Sequence, residues 1–147
     1  MRAIVFVTVF VLSCSALSAA SVQAVDTQDE RTVREQCSGD SKAGMHGCLE
    51  KKARESDKAL KDAERNAANA LAKWDEDANF IGQAQTKLRL SSKAFERYRE
   101  AQCAFAASIG GGAIGNALDM RRLACVTELN NRRTVQLQAT INGLPMR

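Results

Sequence analysis

A seven-residue rhythm constrains this chain more than any other feature. Leu49, Ala53, Ser56, Leu60, Ala63, Ala67, Ala70 and Trp74 recur at alternating steps of four and three, the spacing that turns one stripe of a helix toward a partner. The rhythm resumes at Ile81, Ala84, Leu88, Ser91, Phe95, Tyr98, Gln102 and Phe105. A single helix over this span would hold about 59 residues and reach roughly 88 Å, too long to bury its own stripe. Asp75, Glu76 and Asp77 would also lie at the unfavourable end of a helix dipole unless the helix stopped beside them. Asn79 and Gly82 add turn character. The sequence therefore predicts a break between Asp75 and Gly82. Because the first stripe is mostly alanine, its partner must approach closely, with pairs such as Glu50/Arg54 and Asp57/Lys61 on the outer faces.

A third helix follows the run Gly110-Gly111-Gly112-Ala113-Ile114-Gly115. Asn116 and Asp119 form a capping pair for it, and its inner positions are Leu118, Arg122, Cys125, Leu129, Arg132 or Arg133, and Leu137. Arginines beside a seam predict ion pairs to acids of the first helix, or stems lying along the core. With one proline and few β-branched runs, the composition is all-α. The expected fold is a small three-helix antiparallel bundle with a disulfide-pinned N-terminal arm.

Residues 1–24 read as an export signal: a positive start at Arg2, an apolar stretch of about ten residues, then small residues ending Val22-Gln23-Ala24. Ten residues are too few to span a bilayer. The expected divisions are this signal, a flexible N-terminus over 25–36, the helical domain over 37–141 and a frayed tail over 142–147 that holds Pro145. Val11-Leu12-Ser13-Cys14 loosely fits a lipobox, so acylation of Cys14 and a membrane tether stand as the alternative to soluble export.

Beyond the signal there are four cysteines, Cys37, Cys48, Cys103 and Cys125, an even number that in an exported chain reads as two disulfides. Cys37 with Cys48 and Cys103 with Cys125 is the favoured pairing. A cross-link between the N-terminal pair and the hairpin is the rival that the spacing leaves open. Charge is uneven: residues 25–77 hold 10 Lys/Arg against 13 Asp/Glu, and residues 78–147 hold 10 against 4. Attraction between the halves is the simpler reading, a basic face for an anionic partner the sharper one.

No constellation of catalytic residues is present. The glycine run matches G-x-G-x-x-G, but a helix and not a strand precedes it, so it reads as a hairpin loop. His46 is the only histidine; a zinc site with Cys37 and Cys48 can be drawn, yet in an oxidising compartment those thiols pair with each other. Glu96 with Glu100 and the Asp75–Asp77 cluster read as solvated acids, with no apolar surroundings to raise a pKa. Aromatic residues make up 5% of the chain, too few for nucleic-acid stacking, and no cofactor is implied. Trp74 reads as a core plug at the end of the alanine stripe, with partner contact as the alternative. Arg97, Arg99, Arg121 and Arg132 are the other candidate partner-binding residues.

The run Phe95-Glu96-Arg97-Tyr98-Arg99-Glu100-Ala101-Gln102-Cys103-Ala104-Phe105, the Gly111-Gly112 loop, then Cys125, Thr127, Leu129, Arg133-Thr134 and Leu137, resembles the bacterial lysozyme-inhibitor LprI N-terminal domain family. The earlier Cys37 and Cys48-Leu49 fit the same pattern, so the resemblance spans about 37 to 138. It implies an exported, helical, disulfide-bonded domain without enzymatic activity that binds a protein, lysozyme for at least some members. A scaffold or stress-related envelope module that binds another protein or an anionic surface is the alternative.

Overall fold

A computed structural model describes residues 29–39, 41–112 and 115–147. The export signal and Cys14 lie outside the described residues. Four helices follow in order: α1 (Glu30–Glu35), α2 (Lys42–Ala72), α3 (Ala78–Ser108) and α4 (Ala117–Ile141). α2, α3 and α4 form the three-helix bundle, running up, down and up, and α1 is the pinned arm. No described helix is long and apolar enough to cross a membrane.

The stripe of α2 is the part most directly dictated by sequence. Leu49, Ala53, Ser56, Leu60, Ala63 and Ala67 are all buried, and they face α4, the helix on which α1, α2 and α3 all pack. α4 accordingly buries more than one stripe: Leu123, Ala124, Cys125, Thr127, Leu129, Asn130 and Leu137. α2 and α4 run parallel, so their contacts join residues more than seventy positions apart, as Ser56 and Asn130 show.

Several expectations are corrected. Within the stretch expected to be flexible, Glu30–Glu35 form a helix, while residues 25–28 lie outside the described residues. Asp29 caps α1 by accepting from the Thr32 amide at 2.8 Å, and Val33 is fully buried in a cluster with Cys37, Leu49 and Leu123. Six residues cannot sustain a helix alone; core burial of Val33 and the Cys37–Cys48 disulfide hold it. α2 starts at Lys42, earlier than the periodicity indicates, because Ser41 accepts from the Gly44 amide and caps it. The break between α2 and α3 falls at residues 73–77, overlapping its expected place at the three acids, while Asn79 and Gly82 are helical. Asp77 takes the N-cap position of α3, where an acid suits the helix dipole.

The tail is not frayed. Met146 makes an antiparallel bridge with Trp74, the Asp75 amide donates to Pro145 O at 2.9 Å, and the Arg147 amide to Lys73 O at 3.0 Å. The Arg147 guanidinium also reaches the Glu76 carbonyl and lies 3.4 Å from the Asp75 carboxylate. The chain end thus satisfies backbone groups that the end of α2 leaves without helical partners.

At the other end of the bundle, the α3–α4 loop turns through Gly111 (φ 57°) and Gly115 (φ 69°). Asn116 precedes α4 without a side-chain cap, its backbone (φ −78°, ψ 1°) lying outside the extended region that capping residues adopt. Gly111→Ala should lower stability by about 1 kcal/mol from left-handed strain. Gly112→Ala, with open space around a Cβ, should be close to neutral, and urea unfolding of the two variants checks the contrast. Replacing Cys103 and Cys125, 22 residues apart, by serine should cost on the order of 3 kcal/mol in the same assay.

Candidate functional site

α3 is the least buried of the long helices: only Cys103 and Ala106 are buried among its residues. Its rotation is set at one end by the disulfide from Cys103 to Cys125. Once Cys103 faces α4, helical geometry turns Arg99 and Ala106 inward with it. Leu88 and Phe95 lie half-buried against Leu60, Ala63 and Leu137. Tyr98 and Phe105 cannot then face the core as the rhythm predicts, and they are 55% and 60% exposed. Phe80 and Ile109 are comparably open. Phe80, Tyr98, Phe105 and Ile109 are separated by close to whole helical turns and share one face of α3; Tyr98, Phe105 and Ile109 form an apolar ridge roughly 16 Å long, while Lys87 and Ser91 interrupt the face between Tyr98 and Phe80. Lys87, Arg89, Lys93 and Arg97 share this helix and have no ion pair among the described residues. An exposed apolar ridge is the chemistry of an interaction surface; Arg89 and Lys93 lie round the helix from it, lining the clefts toward α2.

Behind the ridge a polar network fixes the helix. Arg99 Nη1 donates to Asp57 Oδ1 at 2.9 Å and to Asn130 Oδ1 at 2.7 Å. The Asn130 amide nitrogen donates to Asp57 Oδ1 at 2.8 Å and to Ser56 Oγ at 3.1 Å. Asn130 is wholly buried, so α2, α3 and α4 are joined through one amide. The Asp57/Lys61 pair expected on the outer face does not form; Asp57 turns to Arg99 instead. The expected ion pair from the third helix to α2 acids is likewise made from α3.

A second cluster ties the first turns of α2 and α4. His46 Nε2 donates to Asp119 Oδ2 at 2.8 Å, Nδ1 stands 4.0 Å from Glu50, and Arg122 Nε reaches Asp119 Oδ1 at 3.3 Å. The hydrogen bond from His46 holds the Asp119 carboxyl below its usual range; burial opposes this, and Arg122 lowers it further. Cys37 and Cys48 are bonded to each other and offer no thiolate to a metal. Among the described residues no group of three or more His, Cys, Asp or Glu is placed to hold one.

The structure does not bring the candidate partner-binding residues together. Trp74 is half-buried beneath the tail and belongs to none of the core clusters, so it is not the core plug of the alanine stripe. Arg99 points into the network. Arg121 is half-buried, with its Cδ beside Gly110 at the base of the loop. Arg132 is held by Glu128 at 2.9 Å within α4. Only Arg97 stands exposed on the ridge-bearing helix. Phe80, Leu90 and Ile109 are exposed residues that the apolar rhythm does not single out. Cys103 was the signal that could have revealed them, since an inward cysteine fixes the helix phase better than scattered apolar positions do.

Bundle, arm and paired cysteines define a small disulfide-braced helical domain. The family described as lysozyme inhibitor LprI matches residues 34–137, and the chain belongs to that family. No curated protein and no solved structure matches it.

Asp119 yields a signed pH test. With its folded pKa depressed, its contribution to stability is present above the ordinary aspartate pKa of about 4 and is lost as pH falls through the folded value. Melting temperatures from pH 6 to pH 2 should show a gap between the wild type and Asp119→Asn that closes at the acid end. Asn130→Ala should cost about 1–3 kcal/mol by leaving Arg99 and Asp57 with fewer partners, read by urea unfolding.

Proposed function

We propose that this chain is an exported, non-enzymatic protein that binds a lysozyme or a related muralytic enzyme and blocks its cleft, using the ridge of α3 as contact surface. The family match over residues 34–137 carries this reading. The exposed Tyr98, Phe105 and Ile109 support the choice of surface, because aromatic anchors supply most of the energy at protein interfaces. Residues 25–147 are net basic, by 20 Lys/Arg to 17 Asp/Glu. Approach to a basic enzyme is therefore opposed by charge, and attraction must come from apolar burial.

A second reading rests on the unpaired cations of α3: an envelope module held on an anionic surface. Retention on anionic vesicles that is lost in salt would favour it.

Titrating the mature protein against several lysozyme types should abolish activity of at least one, and no loss with any type would refute the inhibitor reading. Tyr98→Ala and Phe105→Ala should each weaken inhibition tenfold or more, as loss of a ≥ ~1.4 kcal/mol anchor requires, with little change in melting temperature. Against a basic enzyme the association rate should rise with ionic strength, since salt screens like-charge repulsion. Stopped-flow measurements would read that rise.

A further inference from the structure

A different site lies nearer the start of α3, where it meets the ends of α2 and α4. There a cleft of about 360 Å³ is walled by Leu71, Ala84, Leu88, Leu137, Ile141 and Leu144, with Lys87 and Arg133 also lining it. No carboxylate is among its lining residues. The larger clefts between α2 and α3 differ: the one of about 690 Å³ carries Glu64, and its neighbour carries Asp57, Glu64 and Glu96.

Arg133 gives the cleft its chemistry. A guanidinium has five N–H donors, and here Nη1 donates to Gln136 Oε1 at 2.8 Å and Nη2 to Ser91 Oγ at 2.7 Å, both neutral acceptors. Its Nε is buried without a hydrogen-bond partner among the described residues, and one face of the group lies over the Phe95 ring at 5.8 Å. No ion pair to Arg133 exists among the described residues, although Arg99, Arg122 and Arg132 each have one. A partly buried cation held only by neutral groups favours an anion, and the wall beside it favours an alkyl chain. The volume is near the lower end of ligand sites, which run from about 300 to 1,000 Å³, and suits one chain of medium length.

We infer that the cleft between α3 and α4 binds a single-chain amphipathic carboxylate, its head on Arg133 and Lys87 and its chain along Leu88, Leu137, Ile141 and Leu144. This site shares the face of α3 that carries Tyr98 and Phe105 but begins about two turns nearer the helix start, and it does not depend on the inhibitor reading.

The test is calorimetric titration of the mature protein with decanoate below its micelle concentration, beside decanol, decyltrimethylammonium and acetate, with amide NMR shifts to locate the site. Saturable 1:1 binding of decanoate is expected, at least tenfold tighter than decanol, with neither the cation nor acetate binding. Shifts should centre on Ser91, Leu137 and Ile141. Arg133→Gln should reduce decanoate affinity tenfold or more and leave decanol unchanged. If that variant does not fold, Lys87→Glu, at an exposed position, should lower the preference for decanoate over decanol in the same direction. Absence of saturable binding, equal binding of decanol, binding of acetate alone, or shifts confined to Tyr98 and Phe105 would each overturn the assignment.

Discussion

The rotation of α3 about its own axis decides what this molecule presents to its surroundings, and a covalent bond fixes that rotation. Cys103 bonded to Cys125 leaves Arg99, one turn earlier, no direction but inward. Arg99 then needs acceptors, and Asp57 and Asn130 supply them from the other two helices. Each step narrows the next. A buried asparagine with all its neighbours satisfied is a better specifier of register than alanine contacts, which fit at several offsets.

The alanine stripe of α2 shapes the other half of the design. Alanine buries little area per turn but lets backbones come close, so α2 and α4 pack more extensively than any other pair although α3 lies between them in sequence. α3 is left to lean on this pair by its disulfide end, by Leu88 and Phe95 in the middle, and by the polar network. Its remaining surface is free, which is why a bundle of this size can expose so many large apolar groups without giving up its core.

The pattern of α2 was readable because only one set of positions offered a continuous apolar stripe. α3 offered two, sharing Leu88 and Phe95 and diverging after them: one through Tyr98 and Phe105, the other through Arg99, Cys103 and Ala106. Hydrophobicity favoured the first, and the disulfide selects the second. The early start of α2 and the order of α1 were hidden for a related reason. Gly44, Gly47 and a polar run carry no periodicity, and what holds them is a cap at Ser41, Val33 in the core and the Cys37–Cys48 bond. The Arg133 cleft was not legible at all, since it arises from the convergence of three helix ends.

The docked tail sets where this domain can be cut. The family match stops at residue 137, short of the last turn of α4 and of the residues that bridge to Lys73, Trp74 and Asp75. A protein trimmed to the family boundary would retain both disulfides, the Asn130 network and the ridge. It would return Lys73 O and the Asp75 amide to water and remove Ile141 and Leu144 from the cleft. Truncation at that boundary therefore separates the molecule's two surfaces genetically, keeping one while opening the other.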